Sequence, residues 1–312
     1  MPMQILLTGG SGMLGSAIKE KMNNQKHSVL SPTSIELNLF NENSCRDFFT
    51  NNPIDLVIHC AARVGGIKAN IEFPYQFLND NLRIDMNLLG ISREFRVKNL
   101  LYISSSCVYP RDSVAAMDES VIGSGTLELT NEGYALAKLV GMKSVAITAK
   151  EFDLQWRTLV LSNLYGPGDH FEPDRSHLIS AIIAKVLAAK STGTKIINMW
   201  GDGTAKREFT FVNDVADFIN RNLENLERFP QILNLGSGKD YSVREYYVAT
   251  LQAIGYQAEI EADISRPSGM QRKLLNSTKA ESLGWDPKTT LEEGLKLTLD
   301  WYFDQKSKID EG

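Results

Sequence analysis

Only three cysteines, Cys45, Cys60 and Cys107, occur in the 312 residues. An odd count without paired spacing excludes a disulfide framework and makes a reducing setting the expected one. The four histidines belong to no His/Cys/Asp cluster with ligand spacing, so no metal site is expected. No apolar run comes near the roughly 18 to 20 residues that a helical bilayer crossing requires. The opening residues, Met1-Pro-Met-Gln-Ile-Leu-Leu7, enter a strand pattern without the charged start and cleavage site of an export signal. Basic residues do not prevail either. With 33 Lys and Arg against 38 Asp and Glu, the net charge is −5, which leaves no electrostatic footprint for nucleic acid or an anionic membrane surface. There is no internal repeat and no low-complexity linker. These absences together lead to the expectation of a cytoplasmic protein without nucleic-acid or membrane partners.

What is present is an ordinary globular composition, 43% hydrophobic and 23% charged. Short apolar runs at Gln4–Leu7, His27–Leu30, Asp55–Ile58, Leu100–Ile103 and Trp156–Leu161 read as strands buried on both faces. Between them, Leu14–Met22, Phe77–Lys98 and Asn131–Glu151 have helical spacing. This βαβα rhythm predicts an α/β fold with a Rossmann-type, doubly wound parallel sheet. After about residue 165 the rhythm loosens. Helices are expected at Ser176–Ser191, Val243–Ile254 and Thr290–Phe303, and strands at Lys195–Trp200 and Ile232–Leu235. The expected division is a dinucleotide-binding unit over residues 1–165, completed by strands and helices from the second half, and a smaller α/β substrate region over 166–312.

Thr8-Gly-Gly-Ser-Gly-Met-Leu-Gly15 follows the first strand and opens a helix. Glycines 9, 12 and 15 allow a tight turn, close approach of a pyrophosphate and close helix–sheet packing, while the helix N-terminus favours negative charge. The end of the second strand, Leu30-Ser-Pro-Thr-Ser34, carries no carboxylate for a free ribose 2′-hydroxyl. It also carries no arginine, so the balance tilts towards NADP only mildly.

Tyr134 and Lys138 stand four residues apart, on one helical face. A lysine there can hold a cofactor ribose and draw down the phenol pKa, so that the tyrosine exchanges a proton with a carbonyl or hydroxyl oxygen during hydride transfer. Ser105, at a strand's carboxyl end, can hydrogen-bond the same oxygen.

These elements resemble the extended short-chain dehydrogenase/reductase superfamily and, within it, the GDP-L-fucose synthase family. The narrower resemblance rests on Cys60-Ala-Ala-Arg-Val-Gly-Gly-Ile67 with Ala69-Asn70, Ser105-Ser-Cys-Val-Tyr-Pro110 and Thr130-Asn-Glu-Gly-Tyr-Ala-Leu-Ala-Lys138. It continues in Asn163-Leu-Tyr-Gly-Pro-Gly-Asp169, Ser176-His177, Trp200-Gly-Asp-Gly-Thr204, Arg207-Glu-Phe209 and Arg272-Lys-Leu-Leu275. The resemblance implies NADPH-dependent reduction of the C4 ketone of a GDP-linked 4-keto-6-deoxy sugar, with epimerisation at C3 and C5 in the same pocket. It implies catalytic roles for Ser105, Cys107, Tyr134, Lys138 and His177, with Cys107 and His177 acting in epimerisation. The cofactor would be held by Gly9, Ser11, Gly12, Met13, Leu14, Gly15, Ala61, Ala62, Lys138, Asn163 and His177. The GDP diphosphate would meet Lys185, Arg207 and Lys273, with Trp200 nearby in the substrate site. A homodimer built from two long helices of each subunit is also implied.

The chemistry suits those residue types. A C4 ketone acidifies the hydrogens at C3 and C5, a thiol lowered by its neighbours is a suitable base, and an imidazole a suitable partner on the opposite face. Ser104 in place of a glycine, Lys185 in place of an arginine, Asn213 in place of an aspartate, and the poorly matching stretch 111–128 bear on the sugar more than on the reaction. The competing readings are a C4-reductase acting on another GDP-4-keto sugar, such as a GDP-4-keto-heptose, and an inactive nucleotide-sugar or NADP sensor.

Overall fold

The computed structural model describes residues 2–22, 27–113, 115–172, 176–265 and 270–310. The first half runs β1 (Gln4–Thr8), α1 (Met13–Met22), β2 (Ser28–Leu30), α2 (Glu42–Asn51), β3 (Leu56–His59), α3 (Ile67–Glu72), α4 (Pro74–Glu94), β4 (Asn99–Ser105), α5 (Glu132–Phe152) and β5 (Gln155–Leu161). The second continues with β6 (Asn163–Tyr165), α6 (Leu178–Thr192), β7 (Ile196–Trp200), β8 (Lys206–Phe211), α7 (Val212–Asn222) and β9 (Ile232–Leu235). It ends with β10 (Asp240–Ser242), α8 (Val243–Ile254), β11 (Glu259–Asp263), β12 (Arg272–Lys273), α9 (Thr278–Glu281) and α10 (Leu291–Asp310).

The main sheet has the order β2-β1-β3-β4-β5-β9, and every pair in it is parallel. Strand periodicity explains its two covered faces. Leu6, Val57, Leu100, Tyr102 and Val160 point to a core shared with α2, α4 and α5. Their neighbours Ile5, Leu7, Leu56, Ile58, Leu101, Leu159 and Leu161 point the other way, onto α1 and α7. Both faces being buried, the strands carry apolar side chains at nearly every position, which is what made them legible in the sequence. The strand order reverses between β1 and β3, and at such a switch point ligands bind beyond the carboxyl ends of the strands.

The second half adds a small sheet in which β8 lies between β10 and β12 and also pairs with β6, and a two-stranded pair of β7 with β11. A third core, with Ile179, Ile183, Met199, Phe209, Phe211 and Tyr246, fills the space between these strands, α6 and α8. Strand β8 and helix α7 fall in a stretch where the sequence pattern suggested no element. Lys206-Arg-Glu-Phe-Thr-Phe211 opens on charged residues that serve the small sheet, and this hid its apolar end. Among the described residues no helix is long and apolar enough to cross a membrane.

Candidate active site

The glycine loop forms because the chain must turn sharply between β1 and α1. Gly9 has φ +70°, and a Cβ there would come within 2.7 Å of the Ala61 backbone nitrogen, so the loop lies against the end of β3. A Cβ at Gly15 would collide with the carbonyl oxygen of Gly9. Ser11 and Gly12 remain exposed at the N-terminus of α1, and Leu14 and Gly15 are buried beneath them. Gly168 (φ +85°) brings the loop after β6, which begins near Asn163, to 3.3 Å from the Met13 Cα, measured from the position a Cβ would take. This geometry suits a dinucleotide: a helix N-terminus, and glycines where a side chain would block approach. Gly9, Ser11, Gly12, Met13, Leu14, Gly15, Ala61, Ala62 and Asn163 thus line the carboxyl ends of β1, β3 and β5 and the start of α1.

Strand β4 ends at Ser105, whose hydroxyl caps the short 3₁₀ turn Ser106–Val108 by accepting from the Cys107 N–H at 3.5 Å. That turn points Cys107 inward, 4% exposed. Burial pushes its thiol above the ordinary range, and the Lys273 charge, the hydrogen bond with Ser105 and the Lys138 charge oppose the rise without cancelling it. The expectation of a lowered thiol is therefore corrected: it rests protonated, with cations poised beside it.

Helix α5 carries Tyr134 and Lys138 one turn apart. Lys138 is 2% exposed, donates from Nζ to the Ile103 carbonyl at 3.2 Å, and lies 4.6 Å from the centroid of the Tyr102 ring. Burial, with the Asp85 charge and the neighbouring Cys107 acting in the same direction, pushes the Tyr134 phenol up rather than down. This too corrects the sequence expectation. A neutral phenol is the form a reduction requires, since the new hydroxyl takes its proton from an acid.

The remaining candidates fall into two further groups. His177 is the N-cap residue of α6 and faces Asp169, a buried carboxyl pushed up by burial against the pull of the His177 charge. The neighbouring Ser176 carbonyl oxygen lies 2.9 Å from where a Gly66 Cβ would be, so the Ser176-His177 and Cys60–Ile67 segments adjoin. In the small sheet, Lys273 pairs with Arg207 across β12 and β8. Arg207 donates to the Met270 carbonyl at 2.5 Å. Lys273 is drawn down by burial and lies within electrostatic reach of Cys107, Arg207, Glu128 and Glu208. Further out, Lys185 donates to the Asn198 carbonyl at 3.2 Å and to the Tyr247 hydroxyl at 3.3 Å, with its Nζ 5.8 Å from the Trp200 ring centroid. Trp200 is 44% exposed and offers a flat face.

Sequence reasoning missed the layer beneath Lys138. His59, Asp85 and Tyr102 are each 0% exposed and hydrogen-bonded together. The signal was there: Asn81, Asp85 and Ser92 interrupt the apolar stripe Phe77, Ile84, Leu88 and Ile91 of α4 at helical spacing. Among the described residues no group of three or more His, Cys, Asp or Glu side chains is placed to hold a metal ion.

Residues 5–236 match the NAD dependent epimerase/dehydratase family. The chain is 41% identical over 299 residues to a GDP-L-fucose synthase of Azorhizobium caulinodans, covering 96% of each chain. It is 38% identical over 306 residues to a GDP-L-colitose synthase of Yersinia pseudotuberculosis, covering 98% of this chain and 99% of that one. A solved GDP-mannoheptose C4 reductase from Campylobacter jejuni with NADP bound superposes with a TM-score of 0.86 at 27% identity, over 97% of this chain and 98% of the other. This chain belongs to the NAD dependent epimerase/dehydratase family, among the GDP-L-fucose synthase-like enzymes.

Proposed function

We propose that this protein reduces the C4 ketone of a GDP-linked 4-keto-6-deoxy sugar with NADPH, after epimerising C3 and C5 in the same pocket. NADPH supplies the hydride. Tyr134 gives its phenolic proton to the C4 oxygen as the hydride arrives, Ser105 hydrogen-bonds that oxygen, and Lys138 holds the cofactor ribose and the developing phenolate charge. For epimerisation, the Cys107 thiolate takes the proton α to the ketone, the electron pair moves into the enolate, and His177 returns a proton to the opposite face. Lys273 and Ser105 favour the thiolate that this step consumes.

One observation carries the reading. Lys138, one turn after Tyr134 on α5, reaches the end of β4 and donates to the Ile103 carbonyl at 3.2 Å, two residues before Ser105 and the turn that buries Cys107. Residues 1–165 mainly hold the cofactor in this account, and residues 166–312 mainly hold the GDP-sugar, with Arg207, Lys273 and Lys185 facing the diphosphate and Trp200 the base. A second copy of the chain is the proposed partner. Met86 on α4, and Leu136, Val140 and Ile147 on α5, form an exposed apolar face, with Met86 and Ser144 in contact between the two helices. The free cysteines Cys45, Cys60 and Cys107 fit a cytoplasmic setting. Two relatives named for different sugars leave the choice of sugar to the loops around the pocket.

NADPH oxidation followed by absorbance with GDP-4-keto-6-deoxymannose, and with a GDP-4-keto-heptose, tests this. Turnover is expected with the wild type and a loss of about 10²–10⁴-fold in Tyr134→Phe, with NADPH affinity retained. A flat trace with every such sugar would favour the sensor instead.

A further inference from the structure

Beneath the site lies a closed chain of hydrogen bonds. The Thr8 hydroxyl at the end of β1 meets His59 Nδ1 at 2.7 Å. His59 Nε2 donates to Asp85 Oδ1 at 3.0 Å, and the Tyr102 hydroxyl donates to Asp85 Oδ2 at 2.5 Å. Thr8 also accepts from the Ala61 N–H at 3.3 Å, which joins the chain to the glycine loop and the end of β3. All of these side chains are at most 2% exposed. The protein makes room for the arrangement. A Cβ at Gly141 of α5 would come within 2.5 Å of Asp85 Oδ2 and collide with the Tyr102 hydroxyl.

A carboxylate in such a place is costly unless compensated. Burial alone would push Asp85 up, but the Lys138 charge and the bonds from His59 and Tyr102 bring it below its usual range. His59 is pushed down by burial and stays a neutral imidazole. The counter-charge of Asp85 is therefore Lys138, across the Tyr102 ring. A phenol that donates strongly to a carboxylate has a more electron-rich ring, which holds a cation on its face more firmly. The Lys138 ammonium sits on that face while also donating to Ile103.

We propose that Asp85, acting through Tyr102, is a positioning residue for the reduction: its fixed negative charge holds the Lys138 ammonium in the orientation from which it serves Tyr134 and the cofactor ribose. This rests on the catalytic reading of Tyr134 and Lys138 above. The charged and titratable groups facing this centre are His59 of β3 and Cys60 just after it, Asp85 from α4, Tyr102 and Cys107 from β4 and its turn, Tyr134 and Lys138 from α5, with Lys273 of β12 near Cys107.

The test is the pH dependence of NADPH oxidation with GDP-4-keto-6-deoxymannose in Asp85→Asn. An amide keeps both bonds, accepting from His59 and donating to the Tyr102 oxygen, but the charge is gone. A lost negative charge makes it easier for the Tyr134 phenol to shed its proton. The alkaline limb of the profile is expected to move about one unit to lower pH, with kcat at neutral pH reduced at least fivefold. A purely structural role would lower activity at all pH values and leave the limb in place, and that result overturns the proposal. Should the single variant fail to fold, Asp85→Asn/Tyr102→Phe removes the charge and its phenolic partner together and is read in the same way. Tyr134→Phe separates the two ideas. If it still turns over, the catalytic reading falls; if it is inactive and the limb in Asp85→Asn has not moved, only the role of Asp85 falls.

Discussion

In the proposed account Lys273 meets two needs with one side chain. Its family resemblance assigns it to the diphosphate, yet β12 sets it beside the thiol as well as beside Arg207. A cation next to a buried thiol favours the thiolate, and here it is the largest influence opposing desolvation. The thiolate fraction rises with pH towards the raised pKa of Cys107, so exchange of the sugar's C3 and C5 hydrogens with solvent should accelerate as pH rises. Lys273→Met should slow that exchange about tenfold at pH 7.5 and carry its rise to higher pH, measured by NMR of GDP-4-keto-6-deoxymannose in heavy water without NADPH. An unmoved pH dependence would confine Lys273 to substrate binding. At this scale the placement of the proposed reacting residues was legible in the sequence, because Tyr134 and Lys138 lie one turn apart on α5 and Ser105 ends β4. Their proton affinities were not legible, because burial, a property of the assembled core, outweighs the neighbouring cations at Cys107 and raises Tyr134 in the same direction as its neighbours do.

The strands of the first half and its helices α1, α4 and α5 could be read because each has a periodicity of its own and few competing demands, whereas the short helices α2 and α3 were not read. The β8 strand and α7 could not, since a strand that begins Lys206-Arg-Glu and forms part of a small sheet lacks the continuous apolar signature. Asp85 was missed for a related reason: one carboxylate on a helix reads as a solvent-facing residue until the facing strands supply His59 and Tyr102. The glycine loop is the element whose sequence said most. Its third glycine is required sterically, as only hydrogen fits between α1 and the Gly9 carbonyl. The obstructing atoms are backbone and cannot rotate aside, so Gly15→Ala is expected to cost about 1–3 kcal/mol in overpacking. The loop should splay, with NADPH affinity weakened about tenfold or more in a fluorescence titration. Unchanged affinity would mean that the cofactor does not depend on this turn.

Across the whole molecule, the main sheet and the small sheet are joined by Glu208 of β8. It is 1% exposed and accepts from the Gly238 N–H at 2.8 Å, beyond β9, and from the Leu275 N–H at 2.9 Å, beyond β12. Burial raises this carboxyl from 4.5 to about 7. The folded state then binds a proton that the unfolded chain has already released, so this stabilisation is complete below pH 4.5 and disappears as pH rises through about 7. The advantage of wild type over Glu208→Gln, from thermal melts, should be larger at pH 5 than at pH 8 by about 3 kcal/mol. A gap that is constant or grows with pH would contradict it. Glu208 also fixes β12, and with it Lys273, opposite β4's end, so the pocket depends on residues more than a hundred positions apart in the chain. Whether that assembly performs both reactions is tested most directly by running the full reaction in heavy water with NADPH and identifying the product sugar by NMR. Wild type should yield the C4-reduced sugar carrying deuterium at C3 and C5, and Cys107→Ser a reduced sugar with neither position labelled. Deuterium entering the Cys107→Ser product at the wild-type rate would contradict the account.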